Sequence, residues 1–173
     1  MNNIVLCGFM GCGKTTVGRN LARKTGRKFV DMDAYIEHEA GMCVSEIFEE
    51  YGESGFRDRE HEACLALAEM SNLVIASGGG ALTFEQNVAA FRGKDNIVLL
   101  DVPLRDIKLR LKNDTKRPLL QRPDRDRAME ELYNRRLPLY RAAADITVRG
   151  ESSPLKTAYA VIDALEKKKN KPV

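Results

Sequence analysis

Gly8-Phe9-Met10-Gly11-Cys12-Gly13-Lys14-Thr15 matches the phosphate-binding pattern GxxxxGK[ST] at every fixed position. It follows the apolar run Ile4-Val5-Leu6-Cys7. It opens an amphipathic stretch, Lys14 to Thr25, with Val17, Leu21 and Ala22 on one face and Gly26 as a stop. Strand, glycine-rich loop and helix together are what the motif requires. The glycines let backbone N–H groups wrap phosphates, and the helix N-terminus adds a favourable dipole. Lys14 would place a cation on the β/γ-phosphates and Thr15 a hydroxyl on Mg²⁺. The chain is expected to bind a nucleoside triphosphate.

Outward from this loop, short runs rich in Ile, Val and Leu alternate with longer amphipathic stretches, which is the pattern of an α/β domain with a parallel sheet. Strands are predicted over 4–7, 28–31, 73–76, 97–101 and 146–148. They are nearly continuous in apolar residues, as strands covered on both faces should be. Residues 45–70 read as one or two helices interrupted near Gly52 and Gly55. Thr83-Phe84-Glu85-Gln86 fits a capping box, and Ser153-Pro154 a cap followed by proline at the first helical position. The segment from about 113 to 126, NDTKRPLLQRPDRD, has two prolines and little periodicity. It reads as a long surface loop between helices, of the kind that is functional or disordered.

The 173 residues suit one domain, 1–173, with an apolar fraction of 43%. No apolar run is long enough for a membrane span, and no signal peptide is expected ahead of the strand-like run that starts at Ile4. The formal charge of +3 depends on the tail at about 167–173. Without Lys167, Lys168, Lys169 and Lys171 the balance is 24 − 25 = −1. That lysine cluster reads as a flexible, solvated end, and no nucleic-acid partner is expected. Cys7, Cys12, Cys43 and Cys64 contain no CxxC pair, and His38 and His61 are the only histidines. Neither a zinc site nor a disulfide framework is expected, and free thiols point to the cytoplasm.

Three classes share a phosphate-binding loop. A nucleotide switch needs a base-reading motif such as NKxD, which is missing, and a motor ATPase normally needs more chain. A small-molecule kinase that closes a lid to exclude water fits the size and the basic loop.

The acceptor side offers three constellations. Asp31-Met32-Asp33 ends the second predicted strand. Alternation puts both carboxylates on one face, where one could support Mg²⁺ through its waters and the other accept a proton from an attacking hydroxyl. Alternatively, one of the two, Asp33 taken alone for instance, simply caps the next helix. Arg57 and Glu60, in Phe56-Arg57-Asp58-Arg59-Glu60, lie three apart on one helical face. They form either an ordinary surface ion pair or a guanidinium held in place to grip a carboxylate. Ser77-Gly78-Gly79-Gly80 follows a strand, where close backbone approach to a ligand competes with simple turning.

Taken with KRPLL at Lys116 to Leu120 and RRLPLYRAAAD at Arg135 to Asp145, these motifs resemble those of shikimate kinases, in family order from the first strand to the last helix. The resemblance implies a three-layer, doubly wound, five-stranded parallel sheet like that of the nucleoside monophosphate kinases, with a helical lid at 113–126. It implies Mg²⁺-dependent transfer of the ATP γ-phosphoryl group to the 3-hydroxyl of shikimate, on the route to chorismate and the aromatic amino acids. By the same likeness Gly11, Cys12, Gly13, Lys14, Thr15 and Thr16 bind nucleotide, Thr15 and Asp31 serve the metal, and Asp33 is the candidate base. Arg57 and Arg136 pair with the shikimate carboxylate, Glu60 orients Arg57, and Gly78, Gly79 and Gly80 line the acceptor pocket. Arg117 stabilises the transferring phosphoryl group, while Arg110 and Pro154 flank adenine.

Local reasons compete for some of these residues. Arg110 shares its helix with Lys108 and Lys112, so a solvated face is open to it. Arg135 and Arg141 neighbour Arg136, and Pro154 suits a helix start. Expected partners are shikimate and ATP, for a monomer. The alternatives are a sugar-acid kinase, such as one for gluconate, or a nucleotide-binding module without catalysis.

Overall fold

Hydrophobic burial selects the centre of the sheet. A computed structural model describes residues 2–114 and 118–170. Strands β1 (Ile4–Cys7), β3 (Leu73–Ala76) and β4 (Asn96–Asp101) are the most apolar, and they occupy the middle of a parallel sheet ordered β2-β3-β1-β4-β5. Every residue of β1 and β3 is buried. The outer strands, β2 (Lys28–Asp31) and β5 (Ile146–Arg149), are only partly covered. The expectation that all five are covered on both faces therefore fails at the edges, where a strand has one neighbour and less helix above it.

The crossovers explain the layers. From β1 the chain passes through α1 (Lys14–Thr25) to β2 on one side; every later crossover runs the other way across the sheet. Right-handed connections therefore put α1 on one face, where α7 (Pro154–Lys169) packs against it. On the other face lie α2 (Met32–Ala40), α3 (Val44–Glu69), α4 (Glu85–Phe91), α5 (Leu104–Arg110) and α6 (Arg125–Ala143). The parallel strands end together, so the loops after β1, β2 and β3 meet at one edge, as ligand sites do in such sheets.

Local signals are met unevenly. Gly26 ends α1 in a left-handed conformation at φ 66°, and Ser153 Oγ accepts from the Lys156 amide at 3.2 Å, with Pro154 beginning α7. Gly52 kinks α3, whereas Gly55 stays helical. The capping box at Thr83 does not form. Thr83 belongs to a 3₁₀ turn, Ala81–Thr83, and its hydroxyl donates back to the Gly80 carbonyl at 2.7 Å, leaving Phe84 at the helix start without a side-chain cap. Lys167, Lys168 and Lys169 occupy the last turn of α7 instead of a frayed tail. Lys167 meets Asp163 at 2.7 Å and Lys168 meets Asp145 at 3.6 Å. Helix α6 begins at Arg125, inside the segment expected to be loop, and residues 118–121 form a 3₁₀ turn.

Candidate active site

Between β1 and α1 the loop turns through left-handed glycines, with Gly13 at φ 101° and Gly11 at φ 74°. At Gly11 space is tight too, since a Cβ would lie 2.9 Å from the Leu111 side chain. Lys14 Nζ donates to the Gly8 carbonyl at 2.7 Å and to that of Phe9 at 3.3 Å, so the cation lies folded over its own loop. Thr16 Oγ1 donates to the Gly13 carbonyl at 3.2 Å. Cys12 is buried, and its sulfur stands where a side chain at Gly8 would go, 2.9 Å from that Cβ position.

Two cavities flank this loop. One, of about 280 Å³, lies between Gly13, Thr16, Arg110, Ser153 and Pro154. Arg110 does not sit on a purely solvated face: its Nη1 donates to the carbonyls of Gly11 and Cys12 at 3.3 and 3.2 Å. The other, of about 260 Å³, is bounded by Lys14, Thr15, Asp31, Asp33 and Ser77. Here Thr15 Oγ1 donates to Asp31 Oδ2 at 2.9 Å. A hydroxyl and a carboxylate make a hard oxygen pair, and no group of three or more His, Cys, Asp or Glu side chains able to hold a metal occurs among the described residues. That set suits Mg²⁺, which takes few carboxylates and completes its shell with phosphates and water.

The two aspartates are not aligned by strand alternation as expected. Strand β2 stops at Asp31, which caps α2 by accepting from the Ala34 amide at 3.5 Å, and Asp33 falls in the first turn of that helix. The helix turn, rather than the pleat, directs Asp33 toward the glycine loop. A Cβ at Gly78 would lie 2.9 Å from both Asp33 Oδ1 and Glu60 Oε1.

On α3, Arg57 Nη1 donates to Glu60 Oε2 at 2.8 Å. Glu60 is only 1% exposed, so this is no ordinary surface pair. Burial pushes the Glu60 carboxyl above its usual range, against the opposing pull of Arg57. Glu53 adds a second carboxylate to Arg57 at 3.3 Å, while Phe56 and Phe84 lie beneath its guanidinium at 5.4 and 5.2 Å. Arg57 Nε is buried and has no hydrogen-bond partner among the described residues.

From α6, Arg136 Nη1 reaches the Gly79 carbonyl at 3.3 Å, whereas Arg141 turns to Asp101 at 3.1 Å and Arg135 is exposed. Tyr140, one turn beyond Arg136, also donates to the Gly79 carbonyl, and its hydroxyl pKa is pushed up by burial. Tyr140 is not among the site residues expected from the sequence. Its spacing of four from Arg136 on one helix was the available signal. Arg117 lies outside the described residues.

The phosphate loop and the Arg57–Glu60 pair thus stand on either side of the three glycines. A family model described as shikimate kinase matches residues 10–166. The chain belongs to the shikimate kinase family. A shikimate kinase of Thermodesulfovibrio yellowstonii is 41% identical over 171 residues, covering 98% of each chain. The shikimate kinase of Acinetobacter baumannii, solved in complex with shikimate, superposes with a TM-score of 0.92 at 37% identity, over 99% of this chain and 96% of that one. A gluconokinase of Sinorhizobium meliloti reaches a TM-score of 0.57 at 14% identity, covering 96% of this chain and 93% of that one; it shares the fold alone.

Proposed function

We propose that this chain transfers the γ-phosphoryl group of ATP to the 3-hydroxyl of shikimate, giving shikimate 3-phosphate and ADP on the route to chorismate and the aromatic amino acids. The observation that carries this is the convergence of Asp33, Glu60, Arg57 and Arg136 on one glycine loop, beside the cavity that Lys14 and Thr15 share.

Shikimate is a small hydroxylated carboxylate. A planar guanidinium held by a buried carboxylate can take the acid bidentately, so Arg57, with Arg136 opposite, fixes one end of the molecule. Asp33 then stands at the reacting end, where its carboxylate accepts the proton of the attacking hydroxyl. Lys14 leaves the Gly8 and Phe9 carbonyls to neutralise the β/γ-phosphates, and Arg117 adds a second cation as the phosphoryl group moves. Arg110 and Pro154 border the base. Thr15 and Asp31 would hold Mg²⁺, which supplies charge neutralisation on the phosphates. The four unbridged cysteines suit a reducing cytoplasm, and a monomer suffices because every residue invoked comes from one chain.

The test is ADP release with shikimate, with gluconate and without acceptor, on wild type and Asp33→Asn. Turnover on shikimate alone, lost in Asp33→Asn with ATP binding retained, is expected. Turnover on gluconate but not shikimate would replace the substrate, and ATP binding with no turnover on either would leave a nucleotide-binding module.

A further inference from the structure

Ser77 follows the last residue of β3. It is 4% exposed, and its Oγ has no hydrogen-bond partner among the described residues. Its backbone is accounted for, because the amide donates to the Leu6 carbonyl at 3.0 Å and so extends the pairing of β3 with β1. A buried hydroxyl left without a partner is unfavourable, and alanine would fill nearly the same space without that cost. The register fixes where the hydroxyl stands. Ala76 is the partner of both Leu6 and Asp31, so Ser77 lies one step beyond the sheet, between the strand leading into the phosphate loop and the strand carrying Asp31. It lines the same cavity as Lys14, Thr15, Asp31 and Asp33.

We infer that the Ser77 hydroxyl is the hydrogen-bond partner of an oxygen of the bound metal–triphosphate unit, either a γ-phosphoryl oxygen or a water held by the metal. A hydroxyl is neutral and can both donate and accept. Unlike Lys14, it can therefore stay bonded to an oxygen as charge shifts from the nucleotide to the acceptor, without favouring either end. This assignment rests on the phosphoryl transfer proposed above and adds a contact to it.

The experiment compares wild type with Ser77→Ala. Melting is read without ligand, with Mg²⁺ and ADP, and with Mg²⁺ and a non-hydrolysable ATP analogue; ADP release is read over a range of ATP and Mg²⁺. Without ligand the variant should melt at or above the wild-type temperature. It should show a smaller rise with the ATP analogue and a KM for ATP raised about tenfold to hundredfold, the effect of one hydrogen bond to a charged group made equally before and during transfer. The ADP-induced rise should be kept if the partner is a phosphoryl oxygen and reduced as well if it is a metal-held water. Recovery of rate at high Mg²⁺ identifies a metal-held water as the partner, and persistence of the loss identifies a phosphoryl oxygen. Wild-type kcat with wild-type ATP and Mg²⁺ dependence overturns the assignment. So does a lower melting temperature without ligand, which makes Ser77 structural, or a full wild-type rise with the ATP analogue. If wild type itself fails to release ADP with shikimate, the proposed reaction falls, while the two melting rises still report on Ser77.

Discussion

Arg57 occupies the space that a side chain at Gly80 would need: a Cβ there would lie 2.8 Å from Nη1 and 3.1 Å from Nη2. Gly80 is not left-handed, at φ −106°, so room and not backbone freedom explains the glycine. The same holds at Gly78, where Asp33 and Glu60 would meet the added atom. At Gly79 the nearest atom is Arg136 Nη1, at an ordinary 3.8 Å.

A Gly80→Ala variant should therefore displace the guanidinium from Glu60 and raise the KM for shikimate roughly tenfold or more, the loss of one charge-assisted contact. The KM for ATP should hold. Gly79→Ala should be the milder of the two. Steady-state kinetics on both variants decide this, and equal losses would show that the loop conformation, not Arg57, is what glycine protects.

Glu60 yields a pH signature. Burial raises its pKa above the ordinary 4.5 in the folded chain. Between 4.5 and the raised value the folded state binds more protons than the unfolded, so stability falls as pH rises through that window. In Glu60→Gln this slope should vanish, so the variant should gain melting temperature relative to wild type as pH rises from ~4 to ~7. Over the same range the wild-type KM for shikimate should fall, because only the carboxylate form holds Arg57, and the variant should lack that acid limb. Parallel melting and KM profiles in the two proteins would refute the assignment.

Tyr140 is 1% exposed and donates to the Gly79 carbonyl, which also takes Arg136. Tyr140→Phe keeps the ring in the core and removes one bond, with Arg136 left on the acceptor. A stability loss of about 1 kcal/mol is expected, with a several-fold rise in the KM for shikimate and little change for ATP. Denaturant melts and substrate-specific KM values would check it; a change confined to ATP would place Tyr140 elsewhere in the mechanism.

Features encoded in contiguous residues were legible without the fold. The phosphate loop, the apolar centres of β1 and β3, the Gly26 stop and the Ser153-Pro154 cap depend on neighbours within a few positions, so local spacing specifies them. Resemblance added the roles of Arg57, Arg136 and Asp33, which no local pattern could separate from surface charge. Thr83 shows where local spacing misleads, since its hydroxyl found the Gly80 carbonyl before it could cap a helix.

Tertiary structure decided the rest, because burial and distance belong to pairs of residues remote in sequence. Whether Arg57 and Glu60 form a surface pair or a held clamp turned on the burial of Glu60, which the three-residue spacing leaves open. Arg136 is singled out from Arg135 and Arg141 by reaching Gly79, 57 residues away. Asp31 and Asp33 share a cavity because a strand ends and a helix begins between them, a boundary that alternation along a strand could not reveal. The glycines the sequence marked for close approach turn out to admit the protein's own Arg57, Asp33 and Glu60, a requirement visible only once α2, α3 and β3 meet.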